Sequence, residues 1–166
     1  DPGHYMGSII CVNDATELSP TNELIYEVVD GQQRLTTLSI LLACIYSKLL
    51  NEVVVNNPDI KQDHDYIIKL NSISQRLIKK VSVSGKKLPW GIFKSERIFY
   101  CLRVQPSTQE NNLEDYQYIL KEVGLLPNAD YPRNCGNRRL YKAFKYFLNH
   151  ISDDYDFLND LLDRVY

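Results

Sequence analysis

Five consecutive residues, Asp30-Gly31-Gln32-Gln33-Arg34, place two opposite charges and two amides where an apolar strand runs into an apolar helix. Backbone N–H groups at the start of a helix lack intrahelical partners and carry a partial positive charge, so a tight strand-to-helix turn favours anion binding. Gly31 permits such a turn and the close approach of a ligand. An arginine can hold a phosphate through two parallel hydrogen bonds, and an amide can orient a water molecule. The segment therefore predicts a site for a phosphate-bearing ligand.

The two charged residues of this segment also have purely structural interpretations. An aspartate before a helix is a common N-cap, and Asp-Gly is a common turn, so Asp30 could serve the fold alone. Arg34 falls in the first helical turn, where a positive charge opposes the helix dipole and does not favour helix stability. An external anion explains its position, and an ion pair with Asp30 or Asp14 is the alternative. Gln32 and Gln33 are uninformative individually and gain weight only from the motif.

Two segments of the chain resemble motifs of one prokaryotic family. Residues 30–34, followed by Leu-Thr-Thr-Leu at 35–38, resemble the DGQQR signature of the ParB/sulfiredoxin-like N-terminal domain of GmrSD-type modification-dependent restriction enzymes and related anti-phage proteins. The segment His4-Tyr5-Met6-Gly7-Ser8-Ile9-Ile10 is similar to one that family members carry one strand earlier. Residues 103–107 and 137–141 resemble later, looser family segments, so the likeness extends over most of the chain.

The resemblance implies binding and hydrolysis of a nucleoside triphosphate, with GTP favoured, together with Mg²⁺. It also implies that the activity is coupled to the sensing of modified DNA and to a separate HNH-type nuclease domain, in cis or in trans. The chain begins with Asp1 and has its three histidines scattered at 4, 64 and 150, so we expect a fragment that lacks the nuclease domain. The complete protein is then expected to be an NTPase-coupled endonuclease.

Family resemblance and residue chemistry together suggest individual roles. Arg34 would clamp the phosphates, Gln32 or Gln33 would orient the attacking water, and Asp30 would act as a base, a water-orienting group or an indirect Mg²⁺ ligand. A second group of residues would line the nucleotide site: His4, Gly31, Arg34 and Thr36. No metal-ligand cluster is expected, because neither the histidines nor the cysteines have metal-binding spacing.

Two further functions remain open from the sequence. The chain could be a non-catalytic ParB-like module that binds DNA or a protein partner, or a ParB-like nuclease that nicks DNA. The net charge of −2 gives no general attraction to a polyanion, so any DNA contact would be local or would come from other parts of the complete protein.

Composition predicts a single domain over residues 1–166, because 44% hydrophobic and 24% charged residues are typical of a globular chain. We expect the four separated cysteines to be reduced and mostly buried, with Cys11 and Cys44 inside apolar runs. Nothing suggests a secretory signal, which favours a cytoplasmic location. Polar residues interrupt the apolar run at 35–50, so we expect a core helix and no membrane association.

Hydrophobic periodicity and turn residues predict the order of elements. We expect a hairpin of strands 7–12 and 24–29, joined by a polar turn. A helix over 33–51 should be buried on more than one side, and a helix over 65–80 and a strand over 97–104 should follow. The last three helices are expected at 112–123, 137–150 and 153–166.

These elements indicate an α+β fold: a small mixed sheet, a buried helix after the turn at 30–34, and a mainly helical C-terminal part. We assign residues 1–55 to the motif core and 56–166 to a strand plus the helical remainder. The aromatic residues of the fifth helix, Tyr141, Phe144, Tyr146 and Phe147, are expected in the core. Arg138 and Arg139 begin that helix, where cations oppose the dipole, so one of them is a secondary candidate for an anion contact.

Overall fold

The computed structural model describes residues 7–18, 24–82, 92–95, 98–107 and 111–165. Its elements, in chain order, are β1 Ile10–Leu18, β2 Leu24–Asp30, α1 Gln32–Lys48, a π-helical turn Leu49–Val53, α2 Val54–Asn56, a 3-10 turn Pro58–Gln62, α3 His64–Leu77, β3 Ile78–Ser82, β4 Ile92–Ser95, β5 Ile98–Leu102, α4 Asn112–Glu122, a 3-10 turn Cys135–Asn137, α5 Arg139–His150 and α6 Tyr155–Val165.

Strands β1 and β2 form the predicted antiparallel hairpin. Ile10 lies opposite Asp30, Val12 lies opposite Glu27, and the register shifts just after Ile10. β1 continues to Leu18, beyond its predicted end at residue 12, because pairing with β2 holds a polar run that the sequence pattern assigned to the turn. The register brings the residues before β1 beside the last residue of β2.

Helix α1 lies in the core, as predicted. Ile40, Ala43 and Ile45 are fully buried, as is Leu49 directly after the helix. Residues Gln32–Asn56 form a helix long and apolar enough to cross a membrane by length and composition, and 50% of its most apolar window is buried against the rest of the described chain. Central helices of folded domains meet the same criteria, and the burial is that of a core helix.

A second sheet has the strand order β3-β5-β4, with both pairings antiparallel. The helix predicted over 65–80 ends at Leu77, because residues 78–82 pair with β5 as a strand. Strand β4 was not predicted. The α+β class and the helical C-terminal part are confirmed, whereas the described strands form two separate antiparallel sheets where the sequence suggested one mixed sheet.

Side chains from α1, α3, α4, α5 and α6 form one hydrophobic cluster. Of the α5 aromatics, Phe144 is buried and Tyr141 and Phe147 pack partly buried against the cluster, as predicted. Tyr146 is the exception, because it is exposed and stacks on His150 with 4.0 Å between ring centroids. The ring of Tyr146 therefore covers a neighbouring side chain on the helix surface, outside the core.

Helix α3 begins with a side-chain cap that gives a measurable prediction. Asp63 accepts hydrogen bonds from the backbone N–H groups of Asp65 at 2.8 Å and Tyr66 at 3.2 Å. We expect Asp63→Ala to lower the free energy of unfolding by about 1 kcal/mol, because two N–H groups lose their partner. Urea unfolding measures the loss. Asp59→Ala, at an exposed aspartate in the preceding 3-10 turn, is the control, and equal losses in both variants would contradict the capping role.

The cysteines differ in environment, which predicts their reactivity. Burial raises the pKa of Cys44 to about 12, partly offset by the positive charge of Lys48. Burial and the nearby Asp115 carboxylate raise the pKa of Cys135 to about 12. Cys11 is exposed, contrary to the expectation of burial, because the hairpin leaves it at the surface.

We therefore expect iodoacetamide at pH 8 to alkylate Cys11 far faster than Cys44 or Cys135, because the thiolate is the reactive form and both buried thiols remain protonated. Mass spectrometry of tryptic peptides follows each cysteine separately. Reaction in denaturant is the control and should remove the difference. Rapid native labelling of Cys44 would contradict the assigned burial.

Candidate functional site

A left-handed glycine joins β2 to α1. Gly31 has φ 91° and ψ 8°, is buried, and forms the N-cap position of α1, where its carbonyl accepts from the N–H of Leu35 at 3.0 Å. A methyl group at this position would lie 3.1 Å from Ile9 Cγ1 and 3.4 Å from the Ser8 carbonyl oxygen. Glycine is thus required twice, by the backbone angle and by the close approach of the chain before β1.

The Asp30 carboxylate braces this turn without capping the helix. Oδ1 accepts from the N–H of Gly31 at 2.8 Å, and Oδ2 accepts from Arg34 Nη2 at 3.3 Å. The N-cap residue is Gly31, and within the described chain no side chain caps α1. The N-cap interpretation of Asp30 is therefore wrong, while the ion pair of Arg34 with Asp30 is present.

The ion pair between Arg34 and Asp30 belongs to the weak, exposed class. The side chains of Arg34 and Asp30 are 38% and 63% exposed and stand four residues apart. Such exposed helical pairs contribute only about 0.3–0.5 kcal/mol, because water screens the charges and two long side chains lose freedom.

The Arg34 guanidinium lies directly against the backbone of Gly7. A methyl group built on Gly7 would overlap Arg34 Nη1 and lie 3.0 Å from its Cζ. The two segments that carry the family resemblance, between which residues 11–29 lie, thus meet at one place. The contact also explains why the earlier segment needs glycine at this position.

The other residues predicted to form the nucleotide site differ in their positions and contacts. Gln32 and Gln33 are both exposed, and Gln32 Nε2 donates to the Val28 carbonyl at 2.5 Å, which ties this amide to β2. Thr36 is 8% exposed, and its hydroxyl donates to the Gln32 carbonyl at 2.9 Å, on the core side of the helix. His4 lies outside the described residues.

The electrostatics of the site favour an anion. In the described chain the first turn of α1 contains no acidic residue, so the partial positive charge of the helix start and the Arg34 guanidinium add together. The Asp30 carboxylate, on the strand side of the turn, balances part of this charge. The described residues contain no group of three or more histidine, cysteine or acidic side chains that could hold a metal ion.

Comparison with known proteins assigns the chain to a family. The family model described as "GmrSD restriction endonuclease, N-terminal domain" matches residues 1–164. The chain belongs to this family. No curated protein matches the chain, and no solved structure matches it. GmrSD membership confirms the resemblance carried by the two motifs and gives the chain a DNA-associated role in restriction, and hence in defence.

Arg138 is committed to the GmrSD domain's own fold. Its Nε and Nη2 donate to the two carboxylate oxygens of Asp115 at 2.7 and 2.6 Å, and Asp115 is 1% exposed. This bidentate ion pair gives Arg138 a structural role. Arg138 is therefore no longer a candidate for the secondary anion site. Arg139 is exposed at the start of α5.

Sequence reasoning missed two features of this GmrSD domain. The contact between Gly7 and Arg34 had one sequence signal, the position of Gly7 in the earlier motif, which does not reveal what the glycine touches. Nothing in the sequence indicated that the Lys48 ammonium is buried. It binds Asp153 between α5 and α6 and lies 3.5 Å from Glu52, so it fastens the end of α1 to the C-terminal helices.

Proposed function

We propose that this chain is the nucleotide-binding and NTP-hydrolysing domain of a DNA-modification-sensing restriction protein, with GTP as the favoured nucleotide. The observation that carries the proposal is the position of Arg34. Its guanidinium lies at the start of α1 between the Gly7 backbone and the Asp30 carboxylate, and the side chain as a whole is 38% exposed. A partly exposed arginine beside a helix N-terminus suits the binding of phosphate oxygens.

Arg34 would bind the phosphates by exchanging its weak partner Asp30 for phosphate oxygens. Phosphoryl transfer depends mainly on neutralising charge and positioning the attacking water, and a clamping arginine does the first of these. We assign the second to Gln33, because both glutamines are exposed but the Gln32 amide already donates to the Val28 carbonyl. Asp30, released from Arg34, would accept a proton from the attacking water or orient it.

The available ligands suit a magnesium ion that arrives with the nucleotide. Mg²⁺ often keeps several waters and binds through one or two carboxylates plus substrate phosphates. Asp30 offers one exposed carboxylate at the turn. It would hold Mg²⁺ indirectly, through water, and the bound ion would neutralise charge on the triphosphate.

His4, Gly31 and Thr36 complete the proposed nucleotide site. Gly31 would contribute the left-handed turn that sets the start of α1 beside the phosphates, because Ile9 and Ser8 already fill the space next to its Cα. A hydroxyl contact from Thr36 requires that it leave the Gln32 carbonyl. The complete protein would recognise modified DNA and act with an HNH-type nuclease domain, in cis or in trans, in the cytoplasm. Family membership supports this restriction context.

Calorimetry tests the proposal. We would titrate GTP, ATP, UTP and CTP with Mg²⁺ into this chain, alone and combined with the HNH-type nuclease domain. The proposal predicts binding, with the highest affinity for GTP. Absence of binding in both preparations would overturn it.

Two further titrations distinguish the alternative functions. Binding of DNA that weakens steeply with salt, without nucleotide affinity, would favour a non-catalytic module, because phosphate contacts release counterions. Metal-dependent nicking of plasmid DNA by the chain alone would favour a ParB-like nuclease.

A further inference from the structure

We infer that Gly7 is a positioning residue for Arg34: the missing side chain at Gly7 is what allows the guanidinium to lie at the start of α1. This inference rests on the proposed function for its consequence in nucleotide binding, whereas the positioning itself can be measured without nucleotide.

Two geometric facts carry the inference. Gly7 has φ 86°, in the left-handed region, and a methyl group there would overlap Arg34 Nη1 while lying 3.0 and 3.7 Å from Cζ and Nη2. The atoms met are the far end of a flexible side chain. A methyl group at Gly7 would therefore push the guanidinium aside, and the core, which contains neither residue, would remain intact.

The hairpin register determines where the Gly7 backbone lies relative to Arg34. Ile10 pairs with Asp30, so the residues just before β1 run past the turn at the start of α1. The guanidinium is bordered by Asp30 on one side and by the Gly7 backbone on another. A ligand that binds a preplaced guanidinium has less side-chain ordering to impose, and this raises affinity.

A second glycine provides a matched control. Gly124 has φ 85°, nearly identical to that of Gly7, and a methyl group there would meet nothing within 4 Å. Alanine at either position would have to adopt nearly the same positive φ. Only alanine at Gly7 also displaces Arg34, so a difference between the two variants isolates the effect of the guanidinium.

The first experiment measures the chemical shift of the Arg34 guanidinium in the absence of nucleotide. In ¹⁵N NMR spectra the Arg34 Nε–Hε resonance, assigned by its loss in Arg34→Ala, should shift in Gly7→Ala and stay in place in Gly124→Ala. An unshifted resonance in Gly7→Ala would overturn the inference. Should Gly7→Ala unfold the chain, the double variant with Arg34→Ala should be as well folded as Gly124→Ala, because only the strain of a positive φ then remains. A double variant that stays unfolded while Gly124→Ala folds would equally overturn it.

The second experiment titrates GTP with Mg²⁺ into the same variants. Gly7→Ala should weaken binding at least about tenfold, since small misplacements of a positioned group have large effects, whereas Gly124→Ala should stay within about twofold. Equal affinities in the two variants would overturn the consequence for binding. A shifted resonance with no GTP binding even by the unaltered chain would instead reject the proposed function and leave the positioning role standing.

Discussion

Arg34→Ala is expected to weaken nucleotide binding at least about 30-fold, because removing one partner of a charge-assisted phosphate contact typically costs about 2 kcal/mol or more. Turnover should fall further, since an arginine that stabilises developing phosphate charge is worth about 10³-fold or more in other phosphoryl-transfer enzymes. Calorimetry gives the affinity, and phosphate release gives the turnover.

The same substitution should leave the fold intact. The Arg34 side chain is 38% exposed, and its ion pair with Asp30 is of the weak, exposed class. Arg139→Ala is a matched control, because Arg139 is also an exposed arginine in the first turn of a helix. Unchanged nucleotide affinity in Arg34→Ala, or an equal loss in Arg139→Ala, would contradict the assigned phosphate clamp.

The second large effect is expected at the ion pair between α4 and the start of α5. Arg138→Ala removes both hydrogen bonds to the Asp115 carboxylate, which is 1% exposed. A buried carboxylate without its cation costs about 3–5 kcal/mol, because water cannot replace the lost partner. We therefore expect a large fall in the urea midpoint of unfolding. The slope of the unfolding free energy against urea concentration should not change.

Two comparisons show whether loss of the Arg138–Asp115 ion pair causes the fall in the urea midpoint. Arg139→Ala, at the next residue, removes an exposed arginine and should leave the midpoint within experimental error of the unaltered chain. The double variant Asp115→Leu with Arg138→Met should recover much of the loss, because apolar residues of similar size can replace a buried ion pair. A midpoint in Arg138→Ala as high as in Arg139→Ala would contradict the structural role.

Arg34 and Arg138 form ion pairs in contrasting environments. Both stand near a helix start, where a cation opposes the dipole, and both bind a carboxylate. The carboxylate that pairs with Arg34 is exposed, whereas the carboxylate that pairs with Arg138 is buried and accepts two short hydrogen bonds. Burial of its partner commits Arg138 to the fold, and the exposed partner of Arg34 is consistent with the proposed role of Arg34 in ligand binding.

The local pattern of the sequence predicted most elements well. The hairpin, the buried helix after Gly31 and the C-terminal helices follow from apolar spacing and turn residues, which act over a few positions. The errors occurred where pairing with distant residues decided the outcome. Residues 78–80 continue a helical pattern but pair with β5, and β1 extends through a polar run because β2 lies beside it.

The sequence by itself determined the family, the α+β class and the five-residue turn that carries the proposed site, because each depends on residue types at fixed short spacing. Only the tertiary structure decided which groups meet there. It placed Gly7 against Arg34, turned Gln32 toward β2 and committed Arg138 to Asp115. These contacts depend on hairpin register and helix packing, which join residues that local spacing does not relate.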